Sequence, residues 1–209
     1  MFLGLPFVFV HGWGMASGFW GDVIECLPDV KTQCVELGFV GAAPIEHAAL
    51  PAPTPAIYVT HSLGTMWTLR HRHADMAGLV AINGFADFRP FTNARVLRAM
   101  ALRLDKDPEA QMRDFWRAAG LPQSDALNTD KLATGLEWLS TWDMRAALRG
   151  LDCPVLALGG TKDTILPADI MRREWDGFDL SMQEDGGHAL PLTHSQWCAD
   201  HILGVADAL

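Results

Sequence analysis

A parallel, doubly wound α/β sheet is the fold class that this sequence predicts, and three observations predict it. Short apolar runs rich in β-branched residues alternate with segments of helical periodicity in both halves of the chain. The run Ala56-Ile57-Tyr58-Val59-Thr60 stops abruptly at His61-Ser62-Leu63-Gly64 and continues as the helical stretch Met66–His71. Between Asp87 and Trp142, a span of about fifty residues, only helical patterns occur. At 209 residues the chain suits a single domain, here with an insertion.

The elements follow in order. Phe7–Val10 reads as a first core strand and leads into His11-Gly12-Trp13-Gly14-Met15, whose glycines allow a sharp turn and close approach to a ligand. The same loop also reads as a plain β-to-α connection. Ser17 is expected to cap a helix carrying Trp20, Val23, Ile24 and Leu27 on one face, with Pro28 ending it. Lys31–Val35 is a second strand, and the run behind Pro51-Ala52-Pro53-Thr54-Pro55 is the third. Gly78–Asn83 gives a fourth.

Three helices then follow. Asn93 caps one with Val96, Leu97, Met100, Ala101 and Leu104 on a stripe. Asp107-Pro108 opens a second, with Met112, Phe115, Trp116 and Ala119, closed by Gly120. Leu132, Leu136 and Leu139 mark the third. The alternation resumes with the strand Pro154–Gly159, a helix from Pro167 to Trp175, the strand Leu180–Glu184 and a C-terminal helix containing Trp197, Ile202 and Val205. The expected division is a core of 1–86 and 143–209, with 87–142 as a helical lid.

A serine between a buried strand and a helix has the geometry of a nucleophile elbow, in which the turn exposes Oγ and aims the next N–H at the same point. Serine needs a base, and the base needs an orienting acid. Asp163 and His188 each follow a predicted strand, so Ser62, Asp163 and His188 are the candidate catalytic residues. His71 and His73, spaced i, i+2 on a helix, point to different faces and do not suggest a metal site. Cys26, Cys34, Cys153 and Cys198 form no C-x-x-C pair and read as buried, reduced thiols.

These motifs resemble the α/β-hydrolase family and, within it, the pimeloyl-acyl-carrier-protein methyl ester esterases of biotin synthesis. The resemblance rests on His11-Gly12-Trp13-Gly14-Met15, Ser62-Leu63-Gly64, Gly135-Leu136-Glu137 with Asp143 and Arg145, Asp163 with Pro167, and His188-Ala189-Leu190-Pro191 with His194. It implies an α/β-hydrolase fold and a serine carboxylesterase with Ser62 as nucleophile, His188 as base and Asp163 as its partner. The N–H groups of Trp13 and Leu63 would form the oxyanion hole, with His11 supporting their loop. The Trp13 ring would help wall the acyl pocket, and the aromatic side chains of Phe115 and Trp116 in the insertion are further candidate substrate contacts. No cofactor or metal is implied. Thr60 replaces the usual first glycine of the elbow, where its bulk is expected to strain the packing. Two N-terminal strands usual in the family are missing, so a sheet of about six mainly parallel strands is expected.

Net charge sorts the partners. At −9 the chain is a poor match for nucleic acid or anionic membrane. The apolar N-terminus lacks the basic flank and cleavage site of a secretion signal, so a cytoplasmic location is expected. Eight Lys/Arg and eight Asp/Glu fall between Asp87 and Trp142, leaving the insertion neutral. Arg95 with Arg98 and Arg113 with Arg117 can share helix faces, either to meet an acidic acyl carrier protein or as solvated surface. Phe88, Phe91, Phe115 and Trp116 either line an acyl tunnel or hold the insertion together. A generalist esterase or thioesterase on small soluble esters, and a non-catalytic scaffold, are the competing functions.

Overall fold

The computed structural model describes residues 4–41, 55–207 and 209; the start of the chain and most of the proline-spaced segment before the third strand lie outside them. Among the described residues, six strands form one parallel sheet: β1 (Phe7–Val10), β2 (Thr32–Val35), β3 (Ala56–His61), β4 (Met76–Ile82), β5 (Val155–Gly160) and β6 (Asp179–Gln183). Their spatial order is β2-β1-β3-β4-β5-β6. Val10 lies beside Thr60, His61 beside Ile82, Ile82 beside Leu158 and Gly160 beside Gln183. This register gathers the loops that carry Trp13, Ser62, Asp163 and His188 at one edge of the sheet. A crevice beyond the carboxyl ends of the strands is where such sheets bind ligands.

The flanking helices are α1 (Gly21–Glu25), α2 (Leu63–Arg72), α7 (Ala168–Glu174), α8 (Leu190–Thr193) and α9 (Ser195–Asp207). The first helix differs from expectation. Ser17–Trp20 forms a separate 3₁₀ turn before α1, and the Ser17 side chain caps nothing. Its N–H instead donates to Glu36 Oε2 at 2.8 Å, so the chain enters along β2 rather than on a serine cap.

Between β4 and β5 lie α3 (Ala94–Lys106), α4 (Pro108–Ala119), α5 (Thr129–Thr141) and the short α6 (Arg145–Arg149). The expected caps are present. Asn93 Oδ1 accepts the N–H of Arg95, Asp107 Oδ1 accepts that of Ala110, and Gly120 adopts φ +68°. The insertion leaves and rejoins the core at one point. The Met144 N–H donates to Ala86 O at 2.8 Å, and buried Asp87 pairs with Arg89 and Arg145, which both also pair with Asp143.

The elbow itself rests on backbone against backbone. Ser62 adopts φ +53° and ψ −127° between β3 and α2. A Cβ on Gly64 would lie 2.5 Å from the carbonyl oxygens of both Val10 and His11. Only a glycine lets the first turn of α2 press against β1. Thr60 is accommodated without the expected strain: it is fully buried, and its Oγ1 lies 2.8 Å from Thr65 Oγ1 on α2. The hydroxyl that replaces the glycine thus gains a partner one turn into the helix. Gly64→Ala must displace backbone rather than a side chain, and is expected to lower stability by about 3 kcal/mol. Urea unfolding would show this as a lower midpoint, and an unchanged midpoint would contradict the contact.

Candidate active site

The three candidate catalytic side chains meet. His188 Nε2 lies 3.2 Å from Ser62 Oγ, and His188 Nδ1 lies 2.8 Å from Asp163 Oδ2. All three residues are buried, at 7%, 2% and 5% exposure, so little solvent competes for these bonds. Asp163 Oδ1 accepts the N–H groups of Ile165 and Leu166, at 2.7 and 2.9 Å. Burial opposes the Asp163 carboxylate, but the neighbouring His188 and these hydrogen bonds outweigh it and hold its pKa below the ordinary carboxylate value. An ionised Asp163 accepts from Nδ1–H, which leaves the Nε2 lone pair facing the serine hydroxyl. That arrangement can deprotonate an attacking alcohol.

Sequence reasoning passed over Asn83. At the end of β4 it adopts φ +46°, and its Nδ2 donates to Asp163 Oδ2 at 2.6 Å and to Gly187 O at 2.9 Å. It therefore ties the acid to the loop that carries His188. Its place directly after a buried strand and before Gly84 was the available signal, since it matched the placement of Ser62 and Asp163.

The loop after β1 is held from both sides. Below it, Glu36 Oε1 lies 2.9 Å from His11 Nε2, while its carboxylate also accepts the N–H groups of Ser17 and Gly38. Burial works against this carboxylate, yet the bonds from His11 and the two backbone groups bring its pKa down to about 2. From above, α5 and α4 grip the loop: Trp13 Nε1 donates to Leu132 O at 2.8 Å and Trp116 Nε1 donates to Gly14 O at 2.7 Å. The Trp13 ring lies against Gly135, where a Cβ would come within 2.4 Å of Cδ1. Leu63 opens α2, and N–H groups in the first turn of a helix have no partner within it. Its N–H is thus free of the helix ladder.

A cavity of about 490 Å³ opens over Ser62, lined among others by Trp13, Phe85, Phe88, Phe115, Leu139 and Ile165. Phe115 stands edge-on to Trp13 at 4.6 Å. Trp116 does not line this cavity. Its ring is buried and its N–H supports the Gly14 carbonyl, so it acts on the loop and not on an acyl group. Val96, expected on a buried stripe, is 49% exposed where α3 borders the cavity. Arg95 and Arg98 are exposed along a groove shared with Glu137 of α5. Arg113 and Arg117 are exposed on α4, where Arg117 pairs with Asp114. Among the described residues, no group of three or more His, Cys, Asp or Glu could hold a metal ion, and no helix is long and apolar enough to cross a membrane.

A model of the alpha/beta hydrolase family matches residues 7–201. The chain belongs to this family. It is 29% identical to the pimeloyl-[acyl-carrier protein] methyl ester esterase of Methylococcus capsulatus, over 92% of this chain and 91% of that protein. Against the Yersinia pseudotuberculosis protein of the same name, identity is 25% over 96% of this chain and 92% of the relative. Among solved structures, an esterase from Exiguobacterium antarcticum superimposes with a TM-score of 0.78 at 16% identity, covering 99% of this chain and 93% of that one. A bromoperoxidase from Bacillus anthracis gives 0.81 at 14% identity, covering 98% and 92%. These two likenesses speak for the fold.

His61 places a second imidazole in the hydrolase site. It is fully buried, and its Nε2–H donates to His188 O at 2.8 Å. Among the described residues Nδ1 has no partner, so a proton there would bring an unpaired charge. Burial, and after it the neighbouring His188 imidazole, push the His61 pKa down to about 3. Below the unfolded value of 6.5 the unfolded chain takes up a proton that the folded chain refuses, so stability falls as pH drops from there towards 3. The slope should be about 1.4 kcal/mol per pH unit for this group. His61→Gln, which keeps a donor, should flatten the fall by that amount in unfolding measured between pH 6 and pH 4.

Proposed function

We propose that the chain is a serine carboxylesterase that hydrolyses the methyl ester of a pimeloyl-type acyl chain carried on an acyl carrier protein. The observation that carries this reading is the hydrogen-bonded row Ser62–His188–Asp163 at the floor of an apolar cavity. The names of the similar proteins supply the substrate class.

The reaction follows from the site. Ser62 Oγ attacks the ester carbonyl while His188 Nε2 takes its proton. The oxygen that becomes negative receives the N–H groups of Trp13 and Leu63, a donor pair in which each member contributes about 3–4 kcal/mol in comparable enzymes. His188 returns the proton to the departing methoxy oxygen, and methanol leaves. Water, deprotonated by the same imidazole, then releases the acid and regenerates Ser62. Asp163, held by Asn83 and two backbone N–H groups, keeps the imidazole in the tautomer that both steps need.

Residues 87–142 act as a lid over this cavity, and the exposed arginines Arg95, Arg98, Arg113 and Arg117 meet the acidic carrier. The free thiols of Cys26, Cys34, Cys153 and Cys198 suit a reducing cytoplasm.

Ser62→Ala should abolish labelling by a fluorophosphonate probe and lower turnover by several orders of magnitude with the fold intact. A variant that kept most of its turnover would refute the mechanism. Substrate class is tested separately. Arg95→Glu with Arg98→Glu should reduce kcat/KM for the carrier-bound ester by about tenfold while a small free methyl ester loses far less. The gap should close towards about 0.5 M salt. Equal losses on both substrates would assign these arginines to the lid's own stability.

A further inference from the structure

The cavity above Ser62 contains one polar side chain that catalysis leaves unexplained. Gln111 is 5% exposed, in the buried run Ala110-Gln111-Met112 near the start of α4. It lines the cavity together with Asp114, Phe115 and Ala118, the positions i+3, i+4 and i+7 that share its helix face. Across from them α3 contributes Val96, Leu97, Met100 and Arg103. The rim is charged, with Arg103 and Asp114 paired at 2.5 Å and both partly exposed. Deeper in, the walls are aromatic and aliphatic.

Among the described residues the Gln111 carboxamide makes no hydrogen bond or ion pair. Its atoms are not among the buried polar atoms that lack a partner, so the amide is satisfied by solvent in the open cavity rather than by the protein. The Arg103–Asp114 pair satisfies itself and needs nothing from a ligand. Gln111 therefore stands as a donor and acceptor facing the space that the acyl chain must occupy.

We infer that Gln111 is a specificity-determining residue, whose amide donates a hydrogen bond to a second carbonyl on the substrate's acyl chain, distal to the scissile ester. The inference rests on the esterase reading and deepens it. A plain alkyl chain filling the cavity strips solvent from the amide and returns nothing, whereas a chain with a distal ester, thioester or amide carbonyl supplies an acceptor. The site thereby selects acyl groups functionalised at both ends. A thioester-linked diacid monoester is such a group, and a fatty acid methyl ester is not.

Dimethyl pimelate and methyl heptanoate share a chain and differ in the distal ester, so the ratio of their kcat/KM values reads the interaction without a carrier protein. The wild-type enzyme is expected to favour the diester, and Gln111→Leu to lower that ratio about tenfold, mainly through KM for the diester. Since the amide bonds to no protein group, the melting temperature of Gln111→Leu should stay close to that of wild type. A lower melting temperature with equal losses on both esters would make Gln111 a structural residue and overturn the inference. So would an unchanged ratio, or a wild-type enzyme with no preference for the diester. Failure of the carrier-protein reading looks different: the diester preference and its loss in Gln111→Leu persist, while the acyl group on carrier protein is no better a substrate than the free ester.

Discussion

Everything at the site depends on holding one residue in a conformation it would not choose. A serine at φ +53° and ψ −127° costs about 1–3 kcal/mol. The cost is borne by the surroundings: Ser62 follows a strand buried on every residue, and Gly64 wedges the start of α2 against the carbonyls of Val10 and His11. Because β1 and β3 are neighbours in register, the same contact brings the loop after β1 alongside Ser62. The strained turn and the loop after β1 are therefore two sides of one packing event. The hydroxyl pair Thr60–Thr65 fastens the strand to the helix behind it, a covering role that a glycine at position 60 could not fill.

The helical insertion takes part in this arrangement and does not merely roof it. Two tryptophan N–H groups, one reaching up from the loop to Leu132 O and one reaching down from α4 to Gly14 O, fix the backbone of the loop after β1. Movement of α4 or α5 would thus alter the loop geometry as well as access. The acid is held with similar redundancy by Asn83 and the N–H groups of Ile165 and Leu166.

Much of this was legible in the sequence, for physical reasons. Strands buried on both faces appear as continuous β-branched runs, so β1, β3, β4 and β5 stood out, and the loops after them carried Ser62 and Asp163. Helix caps in the insertion were readable at Asn93 and Asp107 because an Asx side chain followed by a periodic stripe has few other meanings. Contacts distant in sequence were not readable. Nothing local says that the Ser17 N–H belongs to Glu36, that Trp116 serves Gly14 rather than an acyl chain, or that Val96 borders an opening. Gln111 reads as one more polar residue of an exposed helix until the partner side of that helix is known. Asn83 lay between these extremes, its position informative and its bonds invisible.

The closure of the insertion on itself has a consequence for how such enzymes diversify. Ala86 and Met144 are hydrogen-bonded, and Asp87, Arg89, Asp143 and Arg145 lock the two crossing strands of chain together at the sheet edge. A segment whose ends meet can be lengthened, shortened or exchanged without changing the distance that the core must span. The clasp makes the helical insertion a cassette on a fixed socket, so that the shape of the cavity it lines can change while the row Ser62–His188–Asp163 stays in place.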